Sequence, residues 1–222
     1  MKYLSWDEKT ITDLSENNIS AMYEHGYLFT RIGKGVMQQT RSVRIDLSKF
    51  KLTSENRRIL KKVGDLKLDV AGLPLKDYKW SLGKLAKDFY EEKFGEGIMS
   101  AAKIKEILTD GAKSNFNCLF NYSIANKNIG YSVVYSNKSL IHYSYPFYEL
   151  VAAPKDIGLG MMIQAVQYAK ESGKNYIYLG SLQRPADVYK LQFEGLEWFD
   201  GNRWQTDIST AKEILKNTSL NE

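Results

Sequence analysis

The stretch Ala153-Pro-Lys155-Asp-Ile157-Gly158-Leu159-Gly160-Met-Met162-Ile-Gln-Ala165-Val166-Gln-Tyr-Ala169-Lys-Glu-Ser-Gly173, followed at once by Lys174-Asn-Tyr176-Ile-Tyr-Leu179-Gly180, decides how the chain folds. Gly158 and Gly160 allow close backbone approach. The helix they open carries Met162, Ala165, Val166 and Ala169 on one face, so that face is buried and the N-terminus is presented to solvent. Free amides and the positive end of the helix dipole meet there. Lys155, Ile157, Gly158, Leu159 and Gly160 are therefore expected to form an anion site suited to a phosphate or pyrophosphate. A plain tight turn before a helix uses the same Gly-x-Gly, so the context must decide between the two.

Lys155-x-x-Gly158-x-Gly160 resembles the phosphate loop of the GNAT acyltransferase superfamily, with Lys155 where Arg or Gln is usual. An apolar strand, Tyr176–Leu179, comes after the helix. Pro185-Ala-Asp-Val-Tyr189-Lys-Leu-Gln-Phe193-Glu-Gly195 is then similar to the late GNAT segment in which a short helix carries a tyrosine ahead of a Gly-Phe strand. Tyr189 falls on that tyrosine.

Composition sets the outer bounds. With 222 residues, 43% hydrophobic and 26% charged, the chain suits one large domain or one domain with an appendage around a packed core. No apolar run approaches the roughly 20 residues a membrane span needs, and the N-terminus lacks a signal-peptide core, so a cytoplasmic protein without a membrane partner is expected. The single Cys118 and the scattered His25 and His142 give no metal-ligand spacing. Cys118, in Asn-Cys-Leu-Phe, reads as a small buried hydrophobe rather than a nucleophile. His142 alternates with apolar neighbours on an expected strand, where it is either hydrogen-bonded or catalytic.

The net charge is +5, and the cations are unevenly spread. Arg31, Lys34, Arg41, Arg44, Lys49, Lys51, Arg57, Arg58, Lys61 and Lys62 fall within one stretch that holds only Asp46 and Glu55 as anions. Such a bias favours a polyanion such as nucleic acid, with affinity that falls steeply with salt; a solvated face is the bland alternative.

Ser15 to His25 reads as a short helix capped by Ser15, with Gly26 just past its end. Tyr27 to Ile32 and Val36 to Gln39 read as strands joined at Gly33-Lys34-Gly35, and Arg41 to Leu47 as a third with Val43, Ile45 and Leu47 facing the core. Ser54 caps a helix to Val63 whose Arg57, Arg58, Lys61 and Lys62 surround inward Ile59 and Leu60. Leu66 to Val70 is a strand. Gly72-Leu-Pro-Leu marks a boundary, giving a small basic α/β subdomain at 1–74, a second domain at 75–208 and a C-terminal tail at 209–222, in which Ser209 onward reads as a helix. Trp80 to Phe94 and Ala101 to Leu108 read as helices. From Leu119 the period becomes two, giving strands at Leu119–Ala125, Gly130–Tyr135 and Leu140–Phe147. A last strand region lies around Leu196 to Trp204.

Helices, three antiparallel strands, then helix, strand, helix and strand is the order of a GNAT fold. The expected class is therefore α/β (α+β), with a central mixed but mostly antiparallel sheet flanked by helices. Gly26 to Lys34, Arg44 with Phe50, Ser54 to Lys62, Asp65-Leu66, Lys93 to Met99, Leu159-Gly160, Tyr176 to Gly180, Tyr189-Lys190 and Trp198 to Trp204 are similar, in order, to landmarks of the arginyl- and leucyl-tRNA protein transferases. The resemblance runs from about residue 20 to 205. That family carries a cysteine cluster after the opening hairpin, where this chain has the short Val36-Met-Gln-Gln-Thr-Arg-Ser-Val43.

The resemblance implies an aminoacyltransferase that needs no bound cofactor, taking its acyl group from charged tRNA and passing it to an amine at a protein N-terminus, as in N-degron tagging. The family's acceptors are acidic N-termini. In that reading the loop from Lys155 to Gly160 holds the 3′-end phosphates, and Arg31, Lys34, Arg41, Arg44, Arg57, Arg58, Lys61 and Lys62 line the path of the tRNA. Tyr189 protonates the departing ribose oxygen, with Glu149, His142 or water as general base; a packed aromatic beside Phe193 is the bland alternative for Tyr189. An activated ester meeting a free amine needs no covalent nucleophile, and positioning alone is worth up to roughly 7–11 kcal/mol. Two alternatives remain open. One is an acetyl-CoA-dependent acetyltransferase whose loop binds the CoA pyrophosphate; the other is a non-catalytic tRNA- or protein-binding module.

Overall fold

The computed structural model describes residues 4–151 and 153–218. In chain order the elements are β1 (Asp7–Thr10), α1 (Glu16–Glu24), β2 (Tyr27–Phe29), β3 (Val36–Gln39), β4 (Ser42–Asp46), α2 (Ser54–Val63), β5 (Lys67–Gly72), α3 (Trp80–Phe94) and α4 (Ala101–Thr109). They continue with β6 (Cys118–Ile124), β7 (Lys127–Ser136), β8 (Leu140–Tyr148), α5 (Ile157–Glu171), β9 (Tyr176–Ser181), a 3-10 helix (Pro185–Gln192), β10 (Leu196–Phe199), β11 (Trp204–Gln205) and α6 (Ile208–Thr218). The protein is a mixed α/β structure whose strands are mostly antiparallel and flanked by helices. No helix among the described residues is long and apolar enough to cross a membrane.

Two compact units interleave along the sequence. The first holds the chain up to Thr53, Asn137–His142 and the chain from Tyr168 onward; the second holds Ser54–Ser136 and Tyr143–Gln167. The boundary expected at residue 74 falls inside the second unit, and the basic stretch from Arg31 to Lys62 is divided between them. Strand pairing is the reason. β4 takes β10 on one side and β9 on the other, antiparallel to both, which ties an N-terminal segment to strands more than a hundred residues away. Such pairing is invisible to a reading that looks for punctuation along the chain.

In the first unit, β9 also runs parallel to Leu140–His142 of β8. β4 is buried on both faces, as a central strand must be: Val43 and Ile45 are fully buried and Arg44 is 4% exposed. A smaller sheet has the order β1-β3-β2, with β2 and β3 joined through Gly33 to Gly35 as the sequence predicts. β1, Asp-Glu-Lys-Thr, escapes the sequence reading because all four of its residues are exposed and only backbone pairing with β3 makes it a strand. α1 is capped by Ser15, whose hydroxyl accepts the Asn18 amide. α6 forms where the tail is expected, with Ala211 and Leu215 buried.

In the second unit β5, β6 and β7 form an antiparallel array, and the end of β8 continues it beside β7. α3 fills the predicted span from Trp80 to Phe94, with Ala86, Phe89 and Tyr90 buried and Phe94 exposed. α2 buries a stripe of Asn56, Ile59 and Val63 and turns its cations outward; Leu60, expected inward, is only half-buried. Cys118, read as a buried hydrophobe, is half-buried at the start of β6. β8 is distorted near its end, where Tyr145 has φ +42°, a conformation unfavourable for an aromatic residue outside a bulge or kink.

Candidate functional site

α5 begins one residue ahead of Gly158, and the two glycines have packing roles there. A Cβ on Gly158 would lie 2.9 Å from the Tyr148 ring, and one on Gly160 would lie 2.9 Å from Val63 Cγ1. Gly160 therefore lets α5 press onto α2, while Gly158 receives the aromatic residue that ends β8. The expected row of bare amides is shorter than the sequence suggests. Ile157 donates to the Pro154 carbonyl (3.2 Å), and Leu159 and Gly160 both donate to the Asp156 carbonyl (3.1 and 3.0 Å). Lys155 is exposed; Ile157 is buried, and Gly158 and Leu159 are half-buried.

Asp156 is a feature the sequence reading passed over. It adopts φ +70°, tolerable for Asp because its short polar side chain bonds locally. Its carboxylate accepts from Lys62 Nζ at 3.1 Å, joining the start of α5 to the last turn of α2. A carboxylate at a helix N-terminus is favourable for the helix. It also stands where an incoming phosphate would come, so the Lys62–Asp156 pair must open for an anion to use both Lys62 and the helix end.

α2 supplies the positive surface. Arg57, Arg58, Lys61 and Lys62 are all exposed, and Arg58 is held by Glu55 one turn earlier, with Nε to Oε2 at 2.7 Å. These ion pairs lie at the surface, where each contributes little to stability. The helix therefore keeps its cations at the surface at little cost to the fold.

Glu149 lies at the end of β8, its amide bonded to the Ile129 carbonyl at 2.9 Å and its carboxylate accepting from Lys127 Nζ at 3.0 Å. It lines two adjoining cavities of the second unit. One, about 620 Å³, lies between α3 and the residues that end β8, among them the Tyr148 that contacts Gly158; the other, about 380 Å³, lies over β5, β6 and β7. The sequence offered Glu149 and His142 as bases, and within the second unit the structure brings Glu149 next to the neighbour of the loop.

The remaining candidates belong to the first unit. His142 is 3% exposed, its Nδ1 lies 2.8 Å from the Tyr23 hydroxyl, and burial with the nearby Lys190 charge pushes its pKa down to about 3. It is a core residue without access to solvent, which removes it as a general base. Arg44 is likewise corrected from an RNA contact to an internal tie. It binds Glu24 (2.5 Å), Glu197 (2.7 Å) and the Tyr178 hydroxyl (3.3 Å), with its guanidinium 4.0 Å from the ring centres of both Tyr176 and Trp204. Burial opposes that charge, but the two carboxylates and the Tyr178 hydroxyl more than offset it and raise the pKa. Arg41 is half-buried, with Nη1 3.5 Å from the Leu182 carbonyl. Arg31 is half-buried and Lys34 is exposed on the turn between β2 and β3.

Tyr189 sits on the 3-10 helix and is 41% exposed. That helix is fixed by Asp187, whose carboxylate accepts the amides of Gln183 and Arg184 (both 2.9 Å) and pairs with Lys190 at 3.2 Å. Lys190 is buried and donates to the Ser181 carbonyl at 2.7 Å. The backbone is thus firmly held, and the aromatic side chain is turned outward while Phe193 takes the core position.

No protein-family profile matches the chain. It is 24% identical over 166 residues to the aspartate/glutamate leucyltransferase of Ruegeria pomeroyi, a match spanning 74% of this chain and 61% of that protein. Among solved structures it is similar to L-PGS from Bacillus licheniformis, with TM-score 0.47 and 14% identity over 90% of this chain and 69% of that one. The C-terminal domain of a putative lysylphosphatidylglycerol synthetase from Agrobacterium fabrum gives TM-score 0.45 and 13% identity, covering 80% of this chain and 55% of that one. The GCN5-related glucosamine N-acetyltransferase region of a fungal multi-domain GH3 β-N-acetylglucosaminidase gives TM-score 0.44 and 11% identity, covering 86% and 22%.

Proposed function

We propose that this chain is an aminoacyltransferase of GNAT-like fold that takes an aminoacyl group from charged tRNA and passes it to an amine. The observation that carries the reading is the meeting of α2 and α5: Gly160 is packed on Val63, Lys62 reaches Asp156, and Arg57, Arg58, Lys61 and Lys62 stand exposed on the adjoining helix. A pyrophosphate alone requires a helix end and one or two cations. A helix of exposed cations beside it suits a longer polyanion, and the leucyltransferase relative, by its name, transfers an aminoacyl group.

The reaction is an aminolysis. The amine nitrogen attacks the ester carbonyl, a C–N bond forms, and the C–O bond to the terminal ribose breaks. One proton leaves the nitrogen, for which Glu149 is the assigned base, and one is given to the ribose oxygen by water. Oxidation states do not change and no covalent intermediate is needed. Lys155, Gly158 and the end of α5 hold the phosphates next to the reacting ester, once the Lys62–Asp156 pair has opened.

The test supplies the purified chain with a set of labelled aminoacyl-tRNAs, or with labelled acetyl-CoA, and with peptides that begin with acidic, basic or apolar residues. Label is expected in peptide from aminoacyl-tRNA. Transfer from acetyl-CoA alone contradicts the reading. Replacing Glu149 with Gln is expected to lower the transfer rate by about 10²–10⁴ without changing tRNA affinity. An unchanged rate removes Glu149 from the reaction, and no transfer from any donor leaves a binding module.

A further inference from the structure

β5 is an end strand: among the described residues it pairs with β6 on one side and with no strand on the other. The Leu73 amide donates to the Asn117 carbonyl at 2.9 Å, just past the pairs Lys67 with Ser123, Asp69 with Asn121 and Ala71 with Leu119. An antiparallel ladder alternates, so these odd-numbered residues turn their backbone groups toward β6, while Leu68, Val70 and Gly72 turn theirs to the open edge. That edge is uncovered: a Cβ on Gly72 would meet nothing within 4 Å, and Val70 is 40% exposed. A bare edge recruits a further strand unless charges guard it. The charges here are Lys67 and Asp69, both exposed and on one face of the strand. Lys67 lies 3.5 Å from Asp65, in a pair open to water that contributes little.

We infer that the free edge of β5 is the interface between two copies of this chain, paired antiparallel about a twofold axis through Leu68. A contact of that symmetry must be self-complementary, and Leu66-Lys-Leu-Asp-Val70 meets the condition in one register. About Leu68, Lys67 stands opposite the partner's Asp69 and Asp69 opposite the partner's Lys67, in the non-hydrogen-bonded pairs where side chains approach most closely. The two Leu68 residues exchange both backbone bonds. Val70 donates to the partner's Leu66 carbonyl, which accepts Gln164 Nε2 at 3.2 Å within its own chain and keeps a second lone pair. Moving the axis by one residue sets Lys67 against the partner's Lys67, or Asp69 against the partner's Asp69. An axis at Val70 leaves Lys67 opposite the partner's Leu73 and gains no ion pair. A contact of one strand from each copy falls below the roughly 1,000 Å² of a firm dimer, so the association is weak and reversible.

Sedimentation of the intact chain, from about 10 µM to about 1 mM, is expected to show a monomer passing to a dimer. It needs neither donor nor acceptor, so its outcome stands apart from the transfer chemistry. Asp69→Lys alone sets two cations opposite each other, and Lys67→Asp alone sets two carboxylates; each is expected to weaken dimerisation by about tenfold. The double variant, Lys67→Asp with Asp69→Lys, rebuilds both ion pairs and is expected to return the dimer to within about twofold of the original constant, a recovery that a folding defect cannot imitate. Glu213→Gln on α6 is the unchanged control. A monomer at every concentration overturns the inference and leaves the edge to an extended peptide of another protein. A dimer indifferent to both single variants overturns it as well, because the contact then lies elsewhere. Single variants that weaken the dimer, with a double variant that does not restore it, overturn the pairing about Leu68.

Discussion

Arg44 and Arg58 come from the same basic stretch, fourteen positions apart in sequence, and do opposite things. Arg44 lies on β4, with β10 and β9 on its two sides, and its charge is consumed by Glu24, Glu197 and two aromatic faces. Arg58 lies on a helix that buries one stripe, so its guanidinium stays at the surface beside Lys61 and Lys62, in an exposed pair with Glu55. The difference teaches that a cation count measures affinity for a polyanion only after the central strands have been subtracted. On an amphipathic helix the cations are nearly all surface; on a doubly covered strand they are structure.

The largest test of that contrast is Arg44→Met. It leaves the carboxylate of Glu197 buried against a hydrocarbon, and a loss of about 3–5 kcal/mol is expected in urea unfolding. A loss under about 1 kcal/mol would mean that Arg44 is as dispensable as a surface cation.

His142 gives a pH-dependent effect on the buried side. Its folded pKa, about 3, lies below the ordinary value of 6.5, so between those values the unfolded chain binds a proton that the folded chain refuses. Stability attributable to this group is complete above about pH 6.5 and declines as pH falls, by about 1.4 kcal/mol per unit down to about pH 3. His142→Gln should flatten that part of the stability profile. An unchanged slope would show that other groups dominate acid unfolding.

Asp156→Asn is expected to be smaller and two-signed. Loss of the carboxylate at the start of α5 and of the Lys62 pair costs about 0.3–1 kcal/mol of stability, while tRNA binding tightens because Lys62 is released and a like charge is gone. Weaker tRNA binding would mean that Asp156 organises the site instead of guarding it.

Much of the fold was legible because its signals are local. The span of α3, the cap of α1 at Ser15, the β2–β3 turn and the meander from β6 to β8 each follow from periodicity or turn chemistry. β1 was not legible, since Asp7–Thr10 has no apolar residue and owes its form to a partner. Nor was the interleaving of the units, which depends on β4 pairing with distant strands. At the site, Gly158, Gly160 and the α2 cations were visible as a pattern, but sequence could not show that the glycines accommodate Tyr148 and Val63 or that Asp156 faces Lys62. His142 and Arg44 misled for one reason: burial is a property of the assembled sheet.

The most direct test changes binding rather than the fold. Replacing Arg57, Arg58, Lys61 and Lys62 together by Ala should leave the chain folded with little change in its unfolding midpoint, because all four are exposed. The salt dependence of tRNA binding should meanwhile become shallower by about one unit per phosphate-contacting cation lost. An unchanged salt slope and affinity in this folded variant would contradict the account, because α2 would then not be the surface that receives the donor.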